Sequence, residues 1–270
     1  MPPAATPANA GAVSAPIGVF DSGIGGLSIL RALRAALPHE DFIYYADTGH
    51  APYGERGDAF VVERSMAVSS ELIERRAVKL MVVACNTATA AAVAALRGAW
   101  SRLPIVGVEP ALKPAAQATQ TGRVGVLATR GTLESEKFRQ LHASLGPQVH
   151  FVLQPCDGLA AAIEAHDMAR IETLCARYVS ALGTLGTQSG QIDTLVLGCT
   201  HYALVMPLFA QLAGPQVRLI ETGDPVARQC RRLLSEAGLL NAGTATGQVT
   251  LIGSGDPASL AEAARRWLAD

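Results

Sequence analysis

Two cysteines, Cys85 and Cys199, stand in matching local sequences that suit proton-transfer chemistry. Each follows a short apolar run typical of a buried strand and precedes a segment with helical character. A thiol in this position would lie at the amino end of a helix, where free N–H groups favour a thiolate and lower the thiol pKa. A single free cysteine is more often an inert core residue, but the repeated context favours a functional pair.

Polar side chains accompany both cysteines. Asp21 and Ser22 follow the first predicted strand, and His201 comes two residues after Cys199. In open α/β sheets ligands bind at the carboxyl ends of the strands, so we expect these side chains to meet there. On the residues alone, two alternatives stay open: Asp21 as a helix-capping carboxylate and His201 as an ordinary loop histidine.

The other three cysteines serve as a comparison. Cys175 and Cys230 share helical faces with apolar residues and are interpreted as core, whereas Cys156 lies in a predicted loop with no base beside it. Five cysteines are an odd number, and they lack C-x-x-C spacing. This pattern argues against a disulfide framework and a zinc ribbon, and it fits a reducing cytosol.

The glycines that follow Asp21 offer an alternative interpretation as a dinucleotide site. Residues 23–26 would open a helix, and Asp47 ends the next strand where a ribose-binding acid would stand. However, Ser28 replaces the third glycine of that motif, and Asp21 puts negative charge where a pyrophosphate would lie. A zinc site made by the two cysteines and His201 is also weak, because no paired-ligand frame is present. The residues alone therefore favour neither a zinc ion nor a dinucleotide.

Nine short apolar runs are predicted strands. They lack polar alternation, which is typical of parallel strands covered by helices on both faces. Segments with apolar residues at helical spacing, such as Ile171–Leu182, lie between them. This alternation predicts an α/β fold with mainly parallel sheets. The predicted strands are Ile17–Phe20, Phe42–Tyr45, Leu80–Ala84, Ile105–Val108, Val124–Leu127, His150–Leu153, Thr194–Leu197, Val217–Ile220 and Val249–Ile252.

The chain also repeats itself weakly. Residues 18–23 resemble residues 125–130, and residues 82–87 resemble residues 196–201, at similar separations. Chance similarity between buried strands is the alternative to a duplication. A duplication predicts two pseudo-symmetric α/β domains with the active site in the cleft between them. We place the first domain at residues 17–109 plus 220–270 and the second at 110–219, with the crossing near 108–114.

The overall composition is that of a globular protein. The chain has 270 residues, a net charge of -1 and 49% hydrophobic residues, so neither a nucleic-acid surface nor a membrane-binding patch is indicated. Residues 1–16 are rich in alanine and proline and lack the long apolar run of a signal peptide. We predict a disordered tail there and a cytoplasmic protein.

Five separated blocks carry a resemblance to a known family. In chain order they are GVFDSGIGGLS, YYADTGHAPYG, VVACNTATA, the weaker GVLATRGTLES, and LGCTHY. Their joint order and spacing, over the chain from about Ile17 onward, resemble the bacterial glutamate racemases.

The resemblance implies a cofactor-independent racemase that interconverts L- and D-glutamate with two opposed proton-transfer residues. Cys85, paired with Asp21, would deprotonate D-glutamate, and Cys199, paired with His201, would deprotonate L-glutamate. Glutamate is then the small-molecule partner, and the implied role is to supply D-glutamate for peptidoglycan synthesis. The resemblance leaves a homodimer open.

The resemblance also implies a set of substrate contacts. Glu164 would assist the histidine side, although the surrounding PCDGLAAAIEAHD departs from the family pattern. Ala203 stands where the family usually has proline after C-T-H-Y, away from the implied chemistry. The implied substrate-binding residues are Asp21, Ser22, Pro52, Tyr53, Gly54, Asn86, Thr87, Thr129, Thr132, Thr200 and His201.

Two other functions stay open at this point. An aspartate or hydantoin racemase of the same superfamily is the nearer one, although aspartate-specific relatives typically carry glutamate where this chain has His201. The more distant one is an amino-acid-binding protein that has lost catalysis. Such a protein would have no need of two thiols with intact polar partners.

Overall fold

Nine strands form two parallel sheets in the computed structural model, which describes residues 12–268. The strands are β1 (Ile17–Asp21), β2 (Phe42–Ala46), β3 (Leu80–Val83), β4 (Ile105–Gly107), β5 (Arg123–Ala128), β6 (His150–Pro155), β7 (Thr194–Leu197), β8 (Arg218–Ile220) and β9 (Val249–Gly253). The first sheet has the order β4-β3-β1-β2-β9, and the second has the order β6-β5-β7-β8.

Helices connect the strands and cover both sheets. Their bounds are α1 (Leu27–Ala36), α2 (Asp58–Ser70), α3 (Asn86–Ala99), α4 (Leu112–Ala118), α5 (Arg130–Glu134), α6 (Glu136–Ala143), α7 (Leu159–Glu164), α8 (Met168–Ala181), α9 (Thr200–Leu204), α10 (Met206–Ala213), α11 (Gly223–Glu236) and α12 (Pro257–Trp267). A π-helical turn, Glu71–Arg75, extends α2, and the 3₁₀ turns Thr48–His50 and Tyr53–Glu55 follow β2.

The predicted α/β class and all nine predicted strands are confirmed, with ends that differ by at most two residues. Central strands such as β1, β3 and β7 are buried along their whole length, which explains their uninterrupted apolar sequences. The predicted helix Ile171–Leu182 begins earlier, at Met168. It does so because the Asp167 side chain accepts a hydrogen bond from the Arg170 N–H at 3.1 Å and caps the first turn.

The two sheets have the same topology. The order β4-β3-β1-β2 in the first sheet matches β8-β7-β5-β6 in the second, and β9 is an additional strand beside β2. The register matches as well, because Val19 pairs with Val82 and Val126 pairs with Val196. These are the positions that the sequence repeat makes equivalent. The pseudo-symmetry predicted from two short matches therefore extends through four strands.

A continuous apolar cluster joins the two sheets. It contains Ile17 and Leu27 from the first sheet and its helix α1, and Leu195 and Tyr202 from the second sheet and α9. Two smaller clusters lie on the outer sides, one under α2 and α3 and the other under α4 and α6. The shared cluster thus fixes the placement of one sheet against the other.

The exact domain boundaries, 17–109 plus 220–270 and 110–219, stay a prediction, although β1–β4 and β9 form one sheet and β5–β8 the other. Of the predicted disordered tail, residues 1–11 lie outside the described residues. In the remainder, the Lys79 side chain donates to the Val13 carbonyl, and the Lys79 N–H donates to the Pro16 carbonyl at 3.0 Å. Within residues 12–268, no helix is both long and apolar enough to cross a membrane.

Candidate active site

Cys85 and Cys199 occupy equivalent positions at the carboxyl edges of the two sheets. Cys85 comes after β3 and is the N-cap residue of α3, and Cys199 comes after β7 and is the N-cap residue of α9. In both cases the preceding residue extends the sheet by donating its N–H to the neighbouring strand, at 2.6 and 2.7 Å. Both cysteines are buried, at 6% and 7% exposure. The fold thus presents two similarly placed thiols.

The Cys85 thiol rests in its protonated form. Its sulfur accepts a hydrogen bond from the Ala88 N–H at 3.4 Å and lies 3.6 Å from Ser22 Oγ. Burial and then the charge of Asp21 raise the Cys85 pKa to about 12, and the two hydrogen bonds offset this only in part. The sequence led us to expect a lowered pKa from the helix N-terminus, and that expectation was wrong for Cys85. The cause is desolvation, which outweighs the helix dipole at a fully enclosed sulfur.

His201 connects Cys199 to a carboxylate. His201 Nδ1 lies 3.7 Å from the Cys199 sulfur, and Nε2 lies 2.5 Å from Glu164 Oε1. Burial lowers the His201 pKa, but hydrogen bonds to Cys199 and Glu164 and the charge of Glu164 outweigh it, so the pKa is raised well above its usual range. This imidazole is therefore a ready acceptor for the Cys199 proton. Glu164, assigned only by resemblance, stands beside His201 as implied.

Asp21 lies between the two units of the fold, of which the first contains β1–β4 and β9 and the second contains β5–β8. Its carboxylate accepts hydrogen bonds from the Gly23 N–H at 2.7 Å and from Thr200 Oγ1, in the other half of the chain, at 3.1 Å. Burial raises the Asp21 pKa, while the charge of His201 opposes that shift. Asp21 acts on Cys85 through its charge, and its direct contact with the second unit was not expected from the sequence.

Asp21, Glu164 and His201 form a compact acidic and basic cluster. Their ligand atoms all lie within 4.8 Å of one another, which is the one grouping among residues 12–268 with the spacing of a metal site. Each side chain is already committed to a hydrogen bond within the protein. A metal ion at this position would have to displace these hydrogen bonds.

The glycines of the loop after β1 allow close backbone contact with the second unit. A Cβ built on Gly23 would lie 1.7 Å from Glu164 Oε1, and one on Gly25 would lie 2.2 Å from His201 Nδ1. The Ile24 N–H donates to Glu164 Oε1 at 2.7 Å. These contacts account for the glycines that the sequence left open to a nucleotide interpretation: the loop supports a histidine–carboxylate pair.

A row of hydroxyl groups lines the Cys85 side. Thr87 Oγ1 lies 3.2 Å from Thr129 Oγ1, which lies 2.9 Å from Thr132 Oγ1. Gly54 packs against the same row, since a Cβ at Gly54 would meet Thr129 at 3.0 Å. Thr87 and Gly54 come from the first unit and Thr129 and Thr132 from the second. The structure thus brings these four predicted contacts together.

The turn that contains Pro52 and Tyr53 is supported by Asp47, which lies in the same sequence block, and by Arg64, which lies outside all five blocks. Tyr53 is fully buried, and its hydroxyl donates to Asp47 Oδ2 at 2.5 Å. Arg64 binds the same carboxylate through two nitrogen atoms, each at 3.0 Å. The hydroxyl of Tyr53 is therefore already engaged within the protein. Asp47 and Arg64 are supporting residues whose pairing depends on the fold.

Asn86 completes the polar lining beside Cys85. It is the first residue of α3, is 4% exposed, and donates through Nδ2 to the Val108 carbonyl at 3.4 Å. Its Oδ1 atom is buried and has no hydrogen-bond partner among the described residues. A buried amide oxygen without a donor is costly, so this atom is available for an ammonium or N–H group of a ligand.

This fold and this paired-thiol site define a racemase class, and the comparison with known families agrees. The family described as Asp/Glu/Hydantoin racemase matches residues 26–230. The chain belongs to this family. Among curated relatives, the glutamate racemase of Herpetosiphon aurantiacus is 51% identical over 249 residues, covering 92% of this chain and 95% of the relative. That of Stutzerimonas stutzeri is 47% identical and covers 92% of each.

Solved structures show the same architecture. Glutamate racemase isoform RacE1 of Bacillus anthracis superposes with a TM-score of 0.82 at 30% identity, covering 94% of both chains. The glutamate racemase of Francisella tularensis, solved in complex with D-glutamate, has a TM-score of 0.80 at 28% identity and covers 95% of this chain and 94% of its own. These similarities agree with the recognition made from the five sequence blocks.

Proposed function

We propose that this chain interconverts L- and D-glutamate without a cofactor, with Cys85 and Cys199 as the two proton-transfer residues. The observation that carries the proposal is the pair of equivalently placed thiols, each with its own polar support. Charge at Cys199 also raises the Cys85 pKa, so the two sulfurs lie within electrostatic reach of each other. Relatives that are named glutamate racemases at about half identity support the choice of substrate.

The two thiols must be in opposite protonation states for the reaction. In one direction the Cys199 thiolate removes the α-proton of L-glutamate, and the Cys85 thiol then gives its proton to the opposite face of the carbanion, which yields D-glutamate. The reverse reaction exchanges the two roles. His201 accepts the Cys199 proton that generates the thiolate, and Glu164 stabilises the imidazolium. The supports thus prepare the Cys199 side for L-glutamate.

The Cys85 side needs the substrate for its ionisation. A free enzyme with a Cys85 pKa of about 12 holds almost no thiolate at neutral pH. The α-ammonium group of glutamate brings a positive charge into the site, which opposes desolvation and the negative charge of Asp21. Hydroxyl groups of the threonine row and backbone N–H groups at the helix ends can bind the carboxylate on which charge develops.

The cellular role follows from the proposed reaction. The family resemblance implies that the D-glutamate is used for peptidoglycan, and we propose that the reaction takes place in the cytoplasm. A homodimer is compatible with the proposal but is not required by it, because both thiols and their partners come from a single chain.

Exchange of the α-hydrogen of glutamate with solvent tests the proposal. Purified protein incubated in D₂O with either enantiomer should incorporate deuterium at the α-carbon and approach a racemic mixture, because each thiol exchanges its proton with solvent. L-aspartate under the same conditions should remain unlabelled. Absence of both racemisation and exchange with glutamate would refute the function, and a preference for aspartate would favour the related racemase.

Variants of the two cysteines test the assignment of roles. Cys85→Ala and Cys199→Ala should each lower kcat by more than about 10³-fold, because the loss of either thiol removes a proton-transfer step. Cys230→Ala is the matched control, since Cys230 is a buried thiol of α11 in the apolar core. Its activity should stay close to that of the unaltered protein. Full activity in either of the first two variants would contradict the two-base assignment.

A further inference from the structure

The peptide group between Gly23 and Ile24 carries two hydrogen bonds on opposite sides. The Tyr44 hydroxyl donates to the Gly23 carbonyl at 2.7 Å. The Ile24 N–H, which belongs to the same peptide group, donates to Glu164 Oε1 at 2.7 Å. Because a peptide group is planar and trans, its C=O and N–H point in opposite directions. A side chain that fixes the carbonyl therefore also fixes the direction of the N–H.

The carboxylate at the end of this connection reaches the second thiol. Glu164 Oε1 also lies 2.5 Å from His201 Nε2, and His201 Nδ1 lies 3.7 Å from the Cys199 sulfur. Tyr44 is fully buried and His201 is 4% exposed, so the bonds lie in a region of low dielectric constant. Hydrogen bonds that share groups in such a region polarise and orient one another.

We infer that Tyr44 is a positioning residue for the Cys199 half of the reaction. Through the Gly23–Ile24 peptide it holds Glu164 and His201 in the orientation that serves the Cys199 thiol. Tyr44 lies in β2 of the first sheet, whereas Cys199 follows β7 of the second. The first unit thus controls the thiol of the other unit. The inference rests on the proposed racemase function and adds a residue to its machinery.

The hydroxyl group carries this role separately from the aromatic ring. The ring is part of the central apolar cluster and would be matched in volume by phenylalanine. The hydroxyl is directed at the loop, so closely that a Cβ built on Gly26 would lie 3.0 Å from it. Removing the hydroxyl leaves the Gly23 carbonyl without this donor, so the peptide can rotate away from Glu164 while the core stays filled.

Isotope effects give a readout specific to one thiol. The two enantiomers of glutamate have equal free energies, so kcat/KM must be the same in both directions for any variant. With α-deuterated L-glutamate, a slower Cys199 step makes removal of the label more rate-limiting, and the isotope effect on kcat/KM increases. With α-deuterated D-glutamate, Cys85 removes the label in a step that is not slowed, and the isotope effect decreases. A general structural defect would not separate the two enantiomers.

For Tyr44→Phe we expect kcat/KM to fall about fivefold, the change produced by losing one ordinary hydrogen bond. The isotope effect should increase with L-glutamate and decrease with D-glutamate. Tyr45→Phe is the matched control, because Tyr45 follows on the same strand, points to the opposite face of the sheet and lines a separate cavity with Arg64. It should leave both isotope effects unchanged. An unchanged ratio of the two isotope effects in Tyr44→Phe would overturn the inference.

A double-mutant cycle and an amide measurement complete the test. In a Glu164→Ala background, which removes the acceptor of the Ile24 N–H, Tyr44→Phe should change the isotope effects little, because both changes act on the same connection. If Tyr44→Phe does not fold, hydrogen exchange of the Ile24 amide decides: it should be slow in the unaltered protein and faster in Glu164→Ala. Rapid exchange in the unaltered protein would overturn the inference. Failure of the unaltered protein to racemise glutamate would instead refute the proposed function.

Discussion

At the scale of single residues, the two thiols are supported in different ways. Cys85 is close to a buried carboxylate, Asp21, whose charge opposes its ionisation. Cys199 is close to a histidine whose own proton affinity is raised by hydrogen bonds and by Glu164. The resting site is therefore asymmetric, although the backbone around the two thiols is equivalent. This asymmetry makes separate tests of the two supports possible.

Removal of His201 should therefore affect one thiol more than the other. In His201→Asn, proton transfer at Cys199 should become slower, so the isotope effect with α-deuterated L-glutamate should increase and kcat from L-glutamate should fall. In Asp21→Asn, the increase in the isotope effect with α-deuterated L-glutamate should be smaller than in His201→Asn. A suitable comparison is the ratio of L- to D-isotope effects in the two variants. Equal ratios would contradict the pairing of His201 with Cys199.

The sequence alone identified those residues whose role is indicated by residues next to them in the chain. Cys85, Cys199 and His201 stand in short motifs next to predicted strand ends, and the structure places them at those ends. The contacts of Tyr44 and Arg64 could not be found in this way. Tyr44 opens the YYADTGHAPYG block, but nothing in that block indicates its partner, the Gly23 carbonyl, which is 21 positions away. Contacts of this kind follow from the packing of the loop against the sheet, which no local pattern encodes.

At the scale of elements, the loop between β1 and α1 is the most constrained connection near the site. Its backbone lies against His201 and Glu164, and a side chain would occupy the same space. The repeated strands predicted that this loop lies at the functional edge. The sequence could not show that it supports residues of the other unit, because the relative placement of the two sheets is set by the shared apolar cluster.

A methyl group at Gly25 should therefore impair catalysis. The Cβ of Gly25→Ala would lie 2.2 Å from His201 Nδ1, so the imidazole or the loop must move. Displacement of about 1 Å in a catalytic group costs roughly 100-fold in rate. Steady-state kinetics should show a fall in kcat of this order with a smaller change in KM.

The control for that change is Gly57→Ala. Gly57 has a φ of -70°, and a Cβ there would have no atom within 4 Å. Kinetics and thermal unfolding of Gly57→Ala should match the unaltered protein. If Gly25→Ala were as active as Gly57→Ala, the close packing of this loop on His201 would be irrelevant to the reaction.

At the scale of the whole molecule, a buried ion pair joins distant segments at the amino ends of the strands. Lys79 Nζ lies 2.5 Å from Glu40 Oε2, and it also donates to the Leu239 carbonyl at 2.9 Å. Glu40 Oε1 accepts from the Asn241 N–H at 2.8 Å. Both side chains of the pair are at most 3% exposed. The pair stands at the end of the first sheet opposite the thiols, so its role is structural.

Breaking this pair should lower stability without changing the chemistry. Lys79→Met leaves the Glu40 carboxylate buried without its partner, and we expect the free energy of unfolding to fall by about 3–5 kcal/mol. Urea denaturation followed by circular dichroism measures the change. Arg75→Met is the control, because Arg75 is 79% exposed and its pairing with Glu71 contributes at most about 1 kcal/mol. A loss as small as that of Arg75→Met would show that the pair is not important for stability, and kcat should be unaffected in both.

The position of β9 also bears on how the polypeptide is made. The strand that completes the first sheet is the last of the nine in chain order, and it pairs with β2 across roughly two hundred residues that include the entire second sheet. During synthesis, the outer edge of β2 therefore has unpaired N–H and C=O groups while β5–β8 emerge from the ribosome, and such edges are prone to pair with other chains. The second sheet has all of its strands earlier, so it can form first. The second sheet is thus complete before the first, whose edge at β2 is covered only after β9 has been made.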